Sequence, residues 1–257
     1  VAGCGRSPEP LAELSDQFGK PHHFTALDIA DDQAVQAWAD SVIAELGPPD
    51  LLLNNAGIMW LEEGRTEDGF ERQFGINHLG HFTFTGLLLP ALRDVPDSRI
   101  VTVSSIAHRA GRIHFDNIHL DGQYGRQRAY AQAKLANLMF AVELDRRLQQ
   151  AGAQTRSLAC HPGFASTNLA GPGIVEESPL GIGWIVRWLW PLATQSAEKG
   201  AWPTLYAATD EHAQGGHYYG PAYLKEAIGP PRDCLLYTSA PADESAGYRH
   251  GGPRTLN

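Results

Sequence analysis

Tyr130-Ala131-Gln132-Ala133-Lys134 sets a phenol and an ammonium four residues apart. On a helix, positions i and i+4 lie one above the other, so the two groups face the same way. A nearby lysine cation favours phenolate and lowers a tyrosine pKa from its ordinary value of about 10. That would make Tyr130 a proton donor and acceptor near neutral pH. Many solvated helices carry the same spacing, so the pair gains meaning only from its neighbours. Ser104-Ser105 closes the apolar run Ile100-Val101-Thr102-Val103. A serine at the carboxyl end of such a strand can donate to a substrate oxygen or simply cap a turn. Asn54-Asn55-Ala56-Gly57 follows a second apolar run, where Asn and Gly also suit a plain tight turn. Asn77 is polar inside an apolar helical stretch and needs a buried partner or a bound water.

These residues hang on alternating strands and helices. Residues 1–6 read as the end of a strand entering a turn. Ser7-Pro8-Glu9 then predicts a helix start, running to about Phe18 and stopping at Gly19. A strand is expected over 22–27. Asp31-Asp32 open a helix with Val35, Trp38, Val42, Ile43 and Leu46 on one face. Leu51-Leu52-Leu53 predicts a brief strand buried on both faces of a parallel sheet. Further expectations are a helix over 67–92, a strand over 99–104, a long helix over 124–150 and a strand over 155–160. Alternation with connections this long predicts an α/β fold: a right-handed, doubly wound parallel sheet with helices on both faces. Residues 1–229 read as one domain.

Composition narrows the function. The chain has 257 residues, 43% hydrophobic and 19% charged, which excludes disorder and collagen-like structure. Twenty basic residues against 29 acidic ones give a net charge of −9, against a nucleic-acid partner. Only Lys20, Lys134, Lys199 and Lys225 are lysines, so Lys134 in a chemical position stands out. Cys4, Cys160 and Cys234 fit neither a disulfide framework nor CxxC metal spacing, and point to a reducing, cytoplasmic compartment without a metal. No signal peptide is visible. The most apolar run, Leu180 to Ala193, contains Arg187 and is shorter than the roughly 20 residues of a transmembrane segment.

Taken in order and spacing, Asn54-Asn55-Ala56-Gly57, Asn77, Ser105, Tyr130-x-x-x-Lys134 and Pro162-Gly163 resemble the short-chain dehydrogenase/reductase family, from Val1 to about Tyr223. His78-Leu79-Gly80-His81-Phe82, Val103-Ser104-Ser105-Ile106-Ala107-His108 and Lys134-Leu135-Ala136-Asn137 resemble one branch of it. That branch holds retinol dehydrogenases, the WW-domain oxidoreductase and light-dependent protochlorophyllide reductases. The resemblance implies a Rossmann-like fold and NAD(P)-dependent carbonyl/alcohol chemistry. It implies Tyr130 as general acid toward a carbonyl or base toward an alcohol. Ser105 would polarise the substrate oxygen, with Ser104 the lesser of the pair. Lys134 would lower the Tyr130 pKa and bind the nicotinamide ribose, while Asn77 anchors a relay water. Implied cofactor contacts are Asn54, Ala56, Gly57, Tyr130, Lys134, Pro162, Gly163 and Thr167, with Asp28 and Ile29 beside adenine; Asp28 could equally cap the next helix. Arg6 sits where an acid selects NAD and a base the 2′-phosphate of NADP, so NADP(H) is expected over NAD(H). The alternative is a surface arginine starting a loop.

Two features depart from the family. Its opening Thr-Gly-x-x-x-Gly-x-Gly turn is absent, and the spacing from Arg6 to Asp28 fits the second and third strands. The first strand and helix are therefore expected to be missing. After Gly229 no amphipathic closing helix follows, and 230–257 reads as an irregular tail, either non-native or naturally disordered. Within the lid segment 163–195, Trp184, Trp188 and Trp190 point to a bulky apolar substrate, to packing of the lid or a homo-oligomer face, or to a membrane-surface contact. The expected function is an oxidoreductase moving a hydride between NADP(H) and a carbonyl or alcohol of an apolar small molecule. Its rival is a catalytically silent Rossmann-type binding or scaffold protein, or an inactive reductase fragment. An epimerase of the extended branch shares Tyr-x-x-x-Lys, but the 105-to-130 spacing disfavours it.

Overall fold

Local signals set most of the element boundaries. The computed structural model describes residues 1–5, 7–28, 31–164 and 195–234. Strand β1 (Ala2–Gly5) leads into α1 (Pro8–Phe18), with Ser7 at the N-cap, Pro8 in the first turn and Gly19 at φ 60° after the last. Strand β2 (His23–Ala26) pairs with β1 in parallel. Helix α2 (Asp32–Leu46) is capped by Asp31, whose carboxylate accepts from the Ala34 amide at 2.9 Å. The cap is therefore not Asp28, which is exposed.

Strand β3 (Leu51–Asn54) is followed by the stretch expected as one helix over 67–92. That helix starts later and is broken. Glu71 caps a short α3 (Arg72–Phe74), a π turn spans Gly75–Leu79, and α4 (Gly80–Leu92) follows. Then come β4 (Arg99–Val103), 3₁₀ turns at Ile106–Ala110 and Phe115–Asn117, α5 (Arg126–Gln150), β5 (Arg156–Cys160), α6 (Ala197–Thr209), β6 (Tyr218–Tyr223) and β7 (Ile228–Asp233). Strand β7 crosses the domain boundary placed at Gly229. Pro230 and Pro231 belong to the sheet, because an edge strand tolerates residues that cannot donate to a ladder. Arg6, Ile29, Thr167, the lid tryptophans and residues 235–257 lie outside the described residues.

The strands form a β1-β2 pair and a five-stranded sheet ordered β3-β4-β5-β6-β7, in which only β7 runs antiparallel. Register matches Asn54 with Thr102 and Val103 with Cys160, so β3, β4 and β5 all exit along one edge. Helices cover both faces. Leu138 and Ala141 of α5 pack on Ala159 and Tyr218, while Ala207 of α6 packs on Val101, Val103 and Leu158. Leu52 and Ile100 meet Ala39 of α2 and Leu88 and Leu92 of α4. Expected burial of β3 on both faces fails: Leu51 and Leu53 remain 40% and 41% exposed. The reason is position, since β3 edges its sheet and pairs with β4 alone among the described strands.

Candidate active site

The exit of β4 and one face of α5 meet at the carboxyl edge of the sheet. Ser104 turns back and donates to the Lys134 carbonyl at 2.7 Å, so it fastens α5 to the strand end. Ser105 adopts extended backbone, caps the Ile106–Ala110 turn through an acceptor contact to the Ala107 amide at 3.2 Å, and hydrogen-bonds the Tyr130 hydroxyl. Close approach of that loop to α5 depends on Gly111, where a Cβ would stand 2.5 Å from the Ala131 carbonyl oxygen. Lys134, only 4% exposed, donates from Nζ to the Val103 carbonyl at 3.0 Å. Its ammonium lies 5.7 Å from the centroid of the Tyr130 ring. Ser105, Tyr130 and Lys134 thus come together at the sheet edge.

Asn77 joins them through the backbone. Its side chain is fully buried and paired on both sides with Ile58, accepting from the amide at 2.7 Å and donating to the carbonyl at 2.8 Å. Of the two partners foreseen for it, the structure supplies the buried protein group. A Cβ on Gly57 would sit 3.2 Å from Asn77 Oδ1 and 3.6 Å from Lys134 Nζ. That small cradle beside a buried ammonium fits the nicotinamide–ribose end of a dinucleotide: Lys134 has N–H donors beyond the one given to Val103, and a diol can accept them. Ala56 is exposed at the same edge. Pro162 and Gly163 follow β5, with Gly163 at φ 66°.

Asn54 is placed differently from expectation. It is 1% exposed, and its Nδ2 donates to Thr85 Oγ1 at 2.8 Å and more weakly to Thr102 Oγ1 at 3.4 Å, so its amide nitrogen is turned into the fold. Asp28 lies just past β2, on the separate two-stranded sheet.

Electrostatics correct one expectation. Burial pushes the Tyr130 phenol up, and the hydrogen bond from Ser105 only partly opposes it. The sequence predicted a lowered value from Lys134 alone. The lysine is itself brought down to about 8 by burial. His81, 2% exposed and one turn beyond Asn77, is held to about 3 by burial first and by the Lys134 charge second. It stays neutral and leaves Lys134 as the cation there. Its only trace in the residues is a histidine in an apolar helix.

Comparison with known proteins completes the site. Residues 1–174 match the family model described as short chain dehydrogenase. Retinol dehydrogenase 11 of Mus musculus is 40% identical over 198 residues, 75% of this chain and 59% of that protein. Polyprenol dehydrogenase of Mus musculus is 38% identical over 243 residues, 90% of this chain and 70% of its own. A crystal structure of an uncharacterized protein from Mycobacterium Paratuberculosis superposes with a TM-score of 0.70 at 36% identity, covering 91% of this chain and 74% of that one. A short-chain dehydrogenase/reductase from Saccharomyces cerevisiae shares the fold, with a TM-score of 0.65 at 21% identity over 85% of this chain and 83% of its own. The chain spans 59% of the mouse retinol dehydrogenase 11 that it matches. Among the described residues no helix is long and apolar enough to cross a membrane. With its Rossmann-like sheet and the Ser105, Tyr130 and Lys134 cluster at the strand exits, the chain belongs to the short-chain dehydrogenase/reductase family, in its retinol dehydrogenase-like branch.

Proposed function

We propose that the chain is an oxidoreductase moving a hydride between NADP(H) and a carbonyl or alcohol group of an apolar small molecule. The observation that carries this reading is the convergence of Ser105, Tyr130 and Lys134 at the sheet edge beside the Gly57 cradle. In the reducing direction Ser105 donates to the carbonyl oxygen and holds it against the Tyr130 hydroxyl. Tyr130 gives up its proton as that oxygen gains charge. Lys134, anchored on Val103, stabilises the phenolate left behind and offers its remaining N–H donors to ribose hydroxyls. With a pKa of about 8 it carries a proton at pH 7. In the oxidising direction Tyr130 is the base. The nicotinamide, when bound, would supply the hydride for reduction and take it up in oxidation.

An apolar substrate is supported by the names of the relatives, retinol and polyprenol both being isoprenoid alcohols, and by Trp184, Trp188 and Trp190 in the sequence. Preference for NADP(H) rests on Arg6: a guanidinium suits a 2′-phosphate, and Arg6→Ala should remove the preference mainly through KM for NADPH. A reducing, cytoplasmic setting is supported by Cys4, Cys160 and Cys234, all free thiols.

The rival reading is a catalytically silent Rossmann-type binding protein. NADPH fluorescence titration followed by an NADPH oxidation assay separates the two. Saturable binding with oxidation driven by an isoprenoid aldehyde is the expected result. Saturable binding without oxidation by aliphatic, aromatic or isoprenoid carbonyls selects the second reading, and no binding overturns both.

A further inference from the structure

Three consecutive residues in the turn between β6 and β7, Leu224, Lys225 and Glu226, hold φ values of 50°, 55° and 68°. Non-glycine residues seldom adopt left-handed backbone in succession, and it persists only where the surroundings over-determine it. Glu226 shows what does so. Its side chain is 4% exposed, with Oε1 accepting from Arg109 at 2.6 Å and lying 3.5 Å from Arg232. Oε2 faces His161 Nε2 at 3.3 Å. Burial would raise this carboxyl, but the facing His161 ring and the charge of Arg109 outweigh it and hold the group below the usual carboxylate range.

His161, Glu226 and Cys234 each offer one ligand atom within 4.8 Å of the others. A cation would meet occupied groups there. His161 Nδ1 accepts from the Gly163 amide at 3.2 Å, which leaves the ring proton on Nε2, toward the carboxylate. The other carboxylate oxygen is held by a guanidinium. The cluster is a carboxylate collecting donors.

Those donors come from the two strand exits that carry the chemistry. Arg109 lies in the 3₁₀ turn capped by Ser105. His161 opens the His161-Pro162-Gly163 exit of β5, and the Phe164 amide donates at 2.8 Å to the carbonyl of Ala227, the residue after Glu226. Tyr218 fills the space between, stacked on His161 and edge-on to His108, each at 5.1 Å between ring centroids. Gly163 has no room for a side chain, since a Cβ would meet the Ala227 carbonyl oxygen at 2.3 Å.

Resting on the reductase reading, we propose that Glu226 is a positioning residue: through Arg109 and His161 its carboxylate fixes the Ser105 turn relative to the Pro162-Gly163 turn. Ser105 is thereby kept in hydrogen-bonding register with Tyr130. In the full chain, Glu226→Gln should lower kcat for carbonyl reduction about tenfold or more, as displaced reacting groups do, with KM for NADPH unchanged. Arg109→Met should do the same, and the double variant should lose no more than either single, because both break one linkage. A second readout needs no turnover. In a ¹³C-tyrosine NMR titration the Tyr130 midpoint should move up in Glu226→Gln, as the Ser105 hydrogen bond slackens, while Tyr124 stays put. Multiplicative losses in the double variant, or an unmoved Tyr130 midpoint, overturn the proposal. A parent chain that reduces no carbonyl refutes the reductase reading, while the Tyr130 titration still decides the positioning role. Should Glu226→Gln fail to fold, Arg109→Met carries the titration.

Discussion

Asn77 and Ile58 are joined by a closed pair of hydrogen bonds, the amide side chain of one reading both backbone groups of the other at 2.7 and 2.8 Å. The π turn Gly75–Leu79 carries Asn77 to this contact, and the contact holds the loop after β3 beside Lys134. Asn77→Ala leaves a part-buried N–H and C=O unpaired, each costing about 1–3 kcal/mol. Urea unfolding should show a loss of about 2–4 kcal/mol. A variant of unchanged stability would mean that this loop is held by something else.

Tyr130→Phe removes a single hydroxyl and keeps the ring that lies beside Lys134. Turnover should fall by about a factor of 10³, within the range that a positioned proton donor contributes. NADPH binding, followed by fluorescence, should change little. Near-normal kcat in this variant would remove Tyr130 from the mechanism.

Gly57→Ala tests the cradle. The glycine backbone there needs no left-handed conformation, so the substitution is tolerated by the chain itself. The new methyl would press on Asn77 Oδ1, which is already fixed by Ile58, and lie against Lys134 Nζ. NADPH affinity should fall about tenfold, equivalent to about 1.4 kcal/mol, with little loss of thermal stability. Unaltered affinity would place the cofactor elsewhere.

The pH dependence follows from Lys134. Its folded pKa of about 8 lies below its ordinary value of 10.5, because burial disfavours the charge. As pH rises through about 8 the ammonium is lost while Tyr130, pushed above its ordinary value, still holds its proton. The kcat/KM for carbonyl reduction should therefore decline above about pH 8. Stability should move the other way. The unfolded chain binds the extra proton between pH 8 and 10.5, so this lysine's penalty relaxes over that window as pH rises. An alkaline limb appearing only above pH 10 would assign the fall to Tyr130 instead.

Much of this architecture was legible in the residues. Helix α5 runs Arg126–Gln150 where 124–150 was expected, because its apolar spacing and the Gly152 stop are local properties. The shared face of Tyr130 and Lys134 follows from helical geometry alone. Of the serine pair, Ser104 turns inward to the Lys134 carbonyl and Ser105 toward Tyr130. What escaped depends on burial and on distant partners. A sequence displays a lysine four residues from a tyrosine, but not the desolvation that reverses the tyrosine shift. Hydropathy cannot separate a π turn from an α-helix, so the break at Gly75–Leu79 was hidden. Glu226 carries no signal in the sequence, since its partners Arg109 and His161 lie far away along the chain. Pro230 and Pro231 argued for a tail until β7 proved to be an edge strand.

The close approach at Gly111 has a consequence for how the site can vary. A Cβ there would stand 2.5 Å from the Ala131 carbonyl oxygen, so any side chain would have to push the Ser105 turn away from α5. Ala131 is the neighbour of Tyr130 on that helix. The space left by one missing methyl therefore sets how near the serine can stand to the phenol, and a change at a residue with no polar side chain would be felt first as lost turnover.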